Sequence, residues 1–375
     1  MRRISSIFLL LAFALIATAG RAQSGRESLP RRGYFGVSLE KSESGVRVFA
    51  VTPDSTASAA GITIGDVIKT IDGVDASTPE AVVAAIGKHK GGESVRIGLA
   101  RGVLTATLKP YPMEQMPKAT LQYGSVSPSA GVRLRTIVSI PSPAEVDHKF
   151  PAVLLLPGGG CGSIDTPFSV NVGEPALIHA IGSSGFVTMR VEKSGVGDSE
   201  GEPCASIGYF EELAGYRAAL TALRMHPSVD PQQIYLLGIS LGGVFAPILA
   251  SESRVAGVSV WGAGATPPPP YPGRSDRFFR EFAPVDVIGA WSKVTGRVQI
   301  LHGAYDENEY VNVSAQQRIA KVLSDTAKAT VEYRELAGLD HCWSRHASLE
   351  ASNGKCGQGE VTKDMENAVL AFLRN

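Results

Sequence analysis

A serine set between glycines, at the end of an apolar strand-forming run, is the residue of this chain best suited to covalent chemistry. Residues 233–243 read Gln-Ile-Tyr-Leu-Leu-Gly-Ile-Ser-Leu-Gly-Gly, and a helix-compatible stretch follows. A sharp turn from strand to helix would raise the Ser240 hydroxyl out of the sheet, and Gly238 and Gly242 would let neighbouring backbone pass close to it. The start of the helix adds a positive dipole end and free N–H groups. The pattern predicts nucleophilic attack on an acyl group.

A serine hydroxyl needs a base to take its proton as it attacks. Of the seven histidines, only His341 and His346 lie in the loop after the last predicted strand. His341 follows a glycine-containing turn and is the predicted base, with His346 as the alternative. Asp306, a short loop beyond an earlier strand, is predicted to hold the imidazole in one tautomer. Glu307 replaces it if the loop register is off by one, whereas Asp340 is too close to His341 in sequence.

The oxyanion formed on attack needs preorganised N–H donors. One predicted donor is the backbone N–H of Leu241, the residue after the nucleophile. The second is expected in the turn Pro-Gly-Gly-Gly at 157–160, after another predicted strand. Gly159 is the first choice there and Gly160 the next.

A second glycine-rich stretch, Glu-Lys-Ser-Gly-Val-Gly-Asp-Ser at 192–199, invites comparison with a phosphate-binding loop. It lacks Gly-Lys-Ser/Thr, and no dinucleotide-binding fingerprint in the chain is complete. We interpret it as a structural turn near the rim of the site. The sequence predicts no cofactor and no metal.

Strands and helices alternate from about residue 120 to 375. This order predicts an α/β domain with a mostly parallel sheet flanked by helices, whose sites gather at the carboxyl ends of the strands. Residues 265–293 break the alternation and form either a cap over the site or a surface excursion. The predicted strands are 119–123, 132–140, 152–156, 186–191, 234–239, 255–261, 298–302 and 330–336, and the predicted helices are 175–181, 209–225, 241–250, 314–323 and 363–373.

Residues 31–112 form a separate, β-rich unit in this interpretation, joined to the second by a proline-containing linker at 110–119. Predicted strands at 47–51, 67–71, 95–100 and 104–108 surround one helix. Thr78 is the expected helix cap and Pro79 its first residue. Val82, Val83 and Ile86 are predicted to share one apolar face.

The first unit resembles a bacterial PDZ domain. Gly33 to Val37, which include Tyr34, Phe35 and Gly36, resemble the family's carboxylate-binding loop, and residues 59–73 resemble its most recognisable stretch. The resemblance implies a groove between the strand that starts at Val37 and the helix that carries Val82 and Ile86. A protein C-terminus would add there as an extra strand. Alternatively, the unit packs on its neighbour and binds no peptide.

The second unit resembles the α/β-hydrolase superfamily over about residues 125–375. The elbow at Ser240 and the chain order Ser, Asp, His carry the resemblance. The turn at 157–160 resembles the family's His-Gly-Gly loop, with Pro157 in the histidine position. The resemblance implies a serine hydrolase, most readily a carboxylic ester hydrolase acting on a small ester. The alternatives are a peptidase similar to the prolyl-oligopeptidase relatives and a non-catalytic adaptor.

The first 22 residues resemble a secretory signal peptide, with Arg2 and Arg3 before an apolar run at 7–19. Cleavage after Ala22 is favoured over Ala19, and an uncleaved anchor is the alternative; no other stretch suits a membrane span. Periplasmic or secreted placement favours disulfides among the four cysteines. Cys342–Cys356 would close a short loop beside His341, and Cys161–Cys204 would join loops after two parallel strands. The formal net charge of zero gives no reason to expect a nucleic-acid partner.

Overall fold

The structure is a computed structural model that describes residues 29–142, 148–168, 173–306 and 308–375. The predicted signal peptide and Glu307 lie outside the described residues. Within them the chain forms two units that differ in architecture, a small β-rich unit and a larger α/β unit.

The small unit is built on an antiparallel sheet whose strands run in the order β2-β3-β4-β6-β7, with β5 paired to β4. A separate two-stranded ribbon of β1 and β8 closes the unit, because Gly33 pairs with Pro110 and Tyr34 with Lys109. The strands are β1 Gly33–Tyr34, β2 Val37–Ser42, β3 Gly45–Val51, β4 Val67–Ile71, β5 Val74–Asp75, β6 Ser94–Leu99, β7 Gly102–Thr107 and β8 Lys109–Pro110, and the helices are α1 Thr56–Ala59 and α2 Pro79–Gly87.

Helix α2 begins as the sequence predicts. The Thr78 side chain accepts a hydrogen bond from the Ala81 N–H, and proline occupies the first turn. Val82 and Ile86 are buried, but Val83 is 66% exposed. The expectation that all three share one buried face is therefore wrong for Val83, because a helix covered on one side buries only a narrow stripe.

The large unit contains an eight-stranded sheet in the order β16-β15-β14-β13-β11-β12-β10-β9. The strands from β11 to β16 run parallel to one another, whereas β10 pairs antiparallel with β12 and with the edge strand β9. The strands are β9 Ala119–Ser129, β10 Val132–Pro141, β11 Phe150–Leu156, β12 Val187–Val191, β13 Val229–Ile239, β14 Gly257–Trp261, β15 Gly296–Gly303 and β16 Ala329–Leu336, with a small ribbon of β17 Ser344–Arg345 and β18 Glu360–Val361.

Helices cover both faces of this sheet. Along β11, Leu154 and Leu156 belong to one apolar core and Val153 and Leu155 to the other, and all four are buried. Adjacent side chains of a strand point to opposite faces, so an unbroken apolar run marks a strand covered on both sides. The helices are α3 Gly173–Gly182, α4 Tyr209–Arg224, α5 Gly242–Glu252, α6 Asp276–Phe282, α7 Val287–Trp291, α8 Val313–Thr326, α9 Leu349–Ser352 and α10 Asp364–Arg374, with a 3-10 turn at Glu309–Val311.

The segment 265–293 contains two short helices, α6 and α7. Phe278 and Phe282 of α6 are buried. Phe282 stacks on Tyr209 of α4, with ring centroids 4.4 Å apart. Aromatic packing therefore holds α6 against α4.

An ion-pair cluster fastens the residues before β1 to the edge of the large sheet. Arg31 Nη1 lies 2.6 Å from Asp165 Oδ2 and 2.5 Å from Asp198 Oδ2. Asp198 Oδ1 also accepts a hydrogen bond from the Arg32 N–H at 2.7 Å, and its other oxygen lies 3.1 Å from Arg135 Nε. The aspartates and Arg135 are buried, so the N-terminal segment is part of the packing of the large unit.

The linker between the units is fastened in a similar way. The buried Glu114 carboxylate accepts hydrogen bonds from Arg190 Nη1 at 2.9 Å, from Arg190 Nη2 at 2.8 Å and from the Thr166 N–H at 2.6 Å. Burial favours the neutral acid, but hydrogen bonds from His179 and Arg190 outweigh it and lower the pKa of Glu114 from 4.5 to about 2.

Candidate active site

Ser240 occupies the strand-to-helix turn that the sequence predicts. Strand β13 ends directly before it and α5 begins two residues later. Its φ of +52° lies in the left-handed region, which is unusual for a residue other than glycine. A Cβ on Gly238 would lie 2.7 Å from the Gly242 carbonyl oxygen, and one on Gly242 would lie 1.8 Å from the Leu156 carbonyl oxygen. Both glycines are therefore required for the backbone to pass this closely.

His341 and Asp306, from two different loops, form a close pair. His341 Nδ1 lies 2.6 Å from Asp306 Oδ2. The Asp306 side chain is 1% exposed and that of His341 is 21% exposed. A buried carboxylate on Nδ1 leaves Nε2 of the same ring to act on a nucleophile or a substrate.

Trp261, at the end of β14, ties the serine turn and the histidine loop together. Its carbonyl oxygen accepts the Ser240 N–H at 2.8 Å. Its indole N–H donates to the His341 carbonyl oxygen at 3.0 Å. One residue thus orients the backbone on both sides of the predicted nucleophile–base pair, and sequence reasoning missed it.

Gly262, the next residue, makes room for the imidazole. Its φ is +53°, and a Cβ there would lie 2.9 Å from His341 Cε1 and 3.3 Å from Asp306 Oδ2. Sequence reasoning missed Gly262 as well. The available signal was a glycine directly after a mostly apolar strand, at the edge of the sheet where sites gather.

The alternative histidine pairs elsewhere. His346 Nε2 lies 2.9 Å from Asp340 Oδ2, and both side chains are nearly fully buried. Burial raises the pKa of Asp340, but hydrogen bonds from Ser344, the Gly357 N–H and His346 outweigh it, so the pKa is below its ordinary value. Asp340 and His346 therefore organise the loop that carries His341.

The turn at 157–160 lies beside the serine. A Cβ on Gly158 would lie 3.7 Å from the Ser240 Cβ. Among the described residues, no backbone carbonyl accepts a hydrogen bond from the Leu241 or the Gly159 N–H group. Free amides close to a nucleophile are what an oxyanion hole requires.

Tyr271, from the segment 265–293, reaches the same turn. A Cβ on Gly159 would lie 2.4 Å from the Tyr271 hydroxyl oxygen. That oxygen is buried, and within the described part of the chain it has no hydrogen-bond partner. The segment thus packs on α4 and also covers part of the predicted oxyanion turn.

A buried lysine braces this turn from behind. Lys193 Nζ donates to the carbonyl oxygens of Gly158 at 2.6 Å and Gly160 at 2.8 Å. It also lies 3.2 Å from Glu212 Oε1. Burial lowers the pKa of Lys193, nearby Arg274 lowers it further, and Glu212 opposes both. Sequence reasoning treated this stretch as a structural turn and missed the lysine, although two charged residues, Glu192 and Lys193, directly after an apolar strand were a signal.

Both expected disulfides are present. Cys161 pairs with Cys204 and Cys342 with Cys356, closing loops of 43 and 14 residues. The first joins the loops after the neighbouring parallel strands β11 and β12, directly beyond the turn at 157–160. The second closes the loop that begins next to His341.

The predicted peptide groove has a strand edge whose backbone groups are free to pair, but the apolar side chains that border the groove are buried. Strand β2 lies at the end of its sheet. Val37 pairs with Val51 while the Thr52 N–H donates to the Gly36 carbonyl, so Val37 directs its own N–H and C=O away from β3. Three of the residues predicted for the carboxylate-binding loop and the groove have side chains in the domain core that are at most 7% exposed, namely Phe35, Val82 and Ile86.

Tyr34, also predicted in the carboxylate-binding loop, has its ring against the large unit. It stacks on Phe168 with centroids 5.4 Å apart and meets the edge of Tyr111 at 5.8 Å. The loop is thus in direct contact with the segment that follows the turn at 157–160.

The described residues include no group of three or more His, Cys, Asp or Glu side chains arranged to hold a metal ion. None of the helices in the described ranges combines the length and apolar character needed to cross a bilayer.

Comparison with known proteins identifies the small unit. The PDZ domain family matches residues 33–109. A stretch of 57 residues is 46% identical to the magnetosome formation protease MamE of Magnetospirillum gryphiswaldense. This stretch makes up 15% of this chain and 7% of that protein. The chain thus spans a small fraction of that relative.

Solved structures identify the fold of the large unit. Est1E from Butyrivibrio proteoclasticus, solved with ferulic acid, is 17% identical, with a TM-score of 0.50 over 67% of this chain and 99% of that chain. A putative dipeptidyl aminopeptidase IV from Bacteroides ovatus is 14% identical, with a TM-score of 0.53 over 75% of this chain and 40% of that chain. The protein therefore joins a PDZ domain to a domain of the α/β-hydrolase fold.

Proposed function

We propose that this protein is an exported serine hydrolase that cleaves carboxylic esters through an acyl-enzyme. Ser240 is the nucleophile, His341 the base and then the acid, and Asp306 the residue that orients His341. The observation that carries the proposal is the 2.6 Å contact between His341 and Asp306, in a loop that Trp261 joins to the Ser240 turn.

In the proposed reaction, His341 Nε2 takes the Ser240 proton as the oxygen attacks the ester carbonyl. The oxyanion of the tetrahedral intermediate is held by the N–H groups of Leu241 and Gly159, with Gly160 as the other candidate in the turn. The protonated imidazole, stabilised by Asp306, gives its proton to the departing alcohol. Water then attacks the acyl-enzyme by the same route, and Ser240 is regenerated.

Two observations favour an ester over a peptide substrate. The large unit matches a protein solved with ferulic acid over 99% of that protein's length. The match to the dipeptidyl aminopeptidase covers 40% of that chain, so most of that protein has no counterpart here. A serine peptidase remains the second candidate, because the PDZ domain is of a class that binds polypeptide termini.

The PDZ domain is proposed to bind a protein C-terminus along β2, with the carboxylate at the turn formed by Tyr34, Phe35 and Gly36. The free backbone edge at Val37 supports this. The buried side chains of Val82 and Ile86 would have to open to admit a terminal apolar residue. Export to the periplasm or beyond is supported by the two disulfides, which persist in oxidising compartments.

The test compares p-nitrophenyl esters with aminoacyl and dipeptidyl p-nitroanilides, using the full-length oxidised protein. We expect turnover of the short-chain esters, loss of essentially all turnover in Ser240→Ala, nearly as large a loss in His341→Ala and a smaller loss in Asp306→Asn. Faster cleavage of the anilides would favour the peptidase. Unchanged ester turnover in folded Ser240→Ala would exclude the proposed mechanism.

A further inference from the structure

We propose that Lys193 is a positioning residue for the oxyanion hole. Its ammonium group holds the turn at 157–160 from behind, so that the Gly159 N–H faces the reacting carbonyl. This proposal rests on the function proposed above. It gives a role to the glycine-rich stretch at 192–199, which the sequence suggested only as a structural turn.

The geometry of one peptide unit carries the argument. In a trans peptide the C=O of one residue and the N–H of the next point in opposite directions. The Gly158 carbonyl oxygen accepts Lys193 Nζ at 2.6 Å, on the inner side of the turn. The N–H of the same peptide unit belongs to Gly159 and must therefore point away from Lys193. No backbone carbonyl among the described residues accepts it, so it is available to an incoming oxyanion.

The turn needs such a restraint because its own residues do little to fix the backbone conformation. Three consecutive glycines have broad backbone freedom, and without side chains they cannot anchor the turn by packing. An N–H donor that is displaced by about an ångström stabilises the transition state much less. Lys193 has three N–H donors. It uses two of them on this turn and the third on Glu212.

Lys193 is itself held in place. Glu212, which is buried on α4, also pairs with Arg274 and accepts the Tyr216 hydroxyl at 2.9 Å. The Gly158 carbonyl oxygen is therefore held by a cation that is itself fixed, and this keeps the Gly159 N–H on the opposite side of the peptide unit.

A second restraint supports the same assignment. The Cys161–Cys204 disulfide begins one residue beyond Gly160. Arg274 Nη1 lies 3.4 Å from Cys204 Sγ and its other terminal nitrogen pairs with Glu212. Lys193, the Glu212–Arg274 ion pair and the Cys161–Cys204 disulfide therefore all restrain, directly or through one another, the backbone of residues 157–160.

The test is Lys193→Met in the full-length protein, assayed with a short-chain p-nitrophenyl ester and with a fluorophosphonate. Methionine preserves much of the side-chain volume and removes the donors, while Glu212 keeps Arg274 and Tyr216. We expect kcat to fall 10- to 100-fold with KM within about twofold, because the hole acts on the transition state. The rate of fluorophosphonate inactivation should fall in parallel, since its P=O group uses the same hole.

The matched control is Arg135→Met, which removes another buried cation paired with a carboxylate, Asp198, and makes no contact with the turn. It should lower the melting temperature by a similar amount and leave kcat of the folded protein within twofold. Lys193→Gln, which replaces the ammonium group with a shorter, uncharged amide, should restrain the turn only in part, so its kcat should lie between those of wild type and Lys193→Met. If Lys193→Met does not fold, a kcat for Lys193→Gln equal to that of wild type overturns the proposal.

Failure of this proposal and failure of the proposed function give different results. If Ser240→Ala is inactive but folded Lys193→Met has the wild-type kcat, the role of Lys193 is wrong and the hydrolase mechanism stands. If Lys193→Met loses activity only through a raised KM, the positioning role is also overturned. If Ser240→Ala keeps full turnover, the proposed function fails and this inference fails with it.

Discussion

The space between Gly262 and the imidazole of His341 is too small for a side chain. Substitution of Gly262 therefore tests whether the position of the His341 ring matters for activity. A Cβ there would lie 2.9 Å from His341 Cε1. We expect Gly262→Ala to push the ring out of line and lower kcat by at least about 10-fold, because small displacements of a catalytic group are costly. Steady-state kinetics on the small ester, with a melting curve, measure both effects.

Backbone strain must be separated from this steric effect, since Gly262 has a φ of +53°. Gly131 offers the comparison, because its φ is +78° and a Cβ there would have no heavy atom within 4 Å. Gly131→Ala should cost about 1 kcal/mol of stability from strain and leave kcat unchanged. Equal kcat values for the two variants would show that the space beside His341 does not matter.

Glu114 gives a prediction about acid stability. Its pKa is about 2 in the folded protein and near 4.5 when unfolded. The carboxylate therefore contributes stability that is fully present above pH 4.5 and is lost as the pH falls toward 2, amounting to roughly 3 kcal/mol. We expect the free energy of unfolding of Glu114→Gln to fall less steeply than that of wild type below pH 4.5, as measured by denaturant titration. Parallel curves for the two proteins would contradict this.

At the scale of elements, the loop after β16 depends on the Cys342–Cys356 disulfide to hold His341. Closing a 14-residue loop restricts the unfolded chain and is worth about 3 kcal/mol. We expect Cys342→Ala with Cys356→Ala to lower both the melting temperature and kcat, because the loop would move relative to Asp306. The Cys161→Ala and Cys204→Ala pair should act on kcat through the turn at 157–160 instead.

The control for the disulfide variants is mild reduction of the wild-type protein, which should reproduce their combined effect. A doubly substituted protein with unchanged kcat and melting temperature would show that the 342–356 bond is dispensable. Peptide mapping without reductant fixes the pairing independently, and four free thiols would contradict it.

Much of the arrangement of elements could be predicted from the sequence because it follows from local patterns. Apolar runs mark the strands, and the cap at Thr78 marks α2. The cysteines could be paired because Cys161 and Cys204 follow strands predicted to be parallel. The error at Val83 arose because the pattern of apolar residues does not say how far around a short helix its neighbours reach.

The surroundings of the site were harder to predict, because they depend on contacts between strand ends far apart in sequence. Trp261 contacts the backbone of both Ser240 and His341, and nothing in the local sequence around Trp261 predicts these contacts. Lys193 reaches the turn at Gly158 only because β11 and β12 are neighbours in the sheet. Sequence reasoning could name the chemically active residue types, but the residues that orient them required the path of each loop.

At the scale of the whole molecule, the PDZ domain and the hydrolase domain share an interface. Removing the entire N-terminal part of the chain would break the ion pairs of that interface. Deleting residues 23–112 would remove Arg31, which leaves the buried Asp165 without its ion-pair partner and leaves Asp198 with Arg135 alone. Unpaired buried carboxylates are strongly destabilising. Loss of activity in that truncation would therefore say nothing about whether the PDZ domain takes part in the chemistry.

The pairing of β1 with β8 offers a cleaner excision. Tyr34 lies opposite Lys109, so residues 35–108 can be replaced by an Asn-Gly turn that closes a hairpin. The ion pairs of Arg31 and the contact of Tyr34 with Phe168 would remain. We expect turnover of a small ester within about threefold of wild type. Loss of that activity in a folded excision variant would make the PDZ domain part of the active site.

The most direct test of the account is to map the serine that reacts with a fluorophosphonate in the full-length, oxidised protein. Mass spectrometry of the labelled protein should place a single adduct on Ser240. Labelling should disappear in Ser240→Ala and slow strongly in His341→Ala, because the imidazole activates the hydroxyl. A stoichiometric adduct on another serine, or labelling of folded Ser240→Ala at the wild-type rate, would contradict the proposed nucleophile.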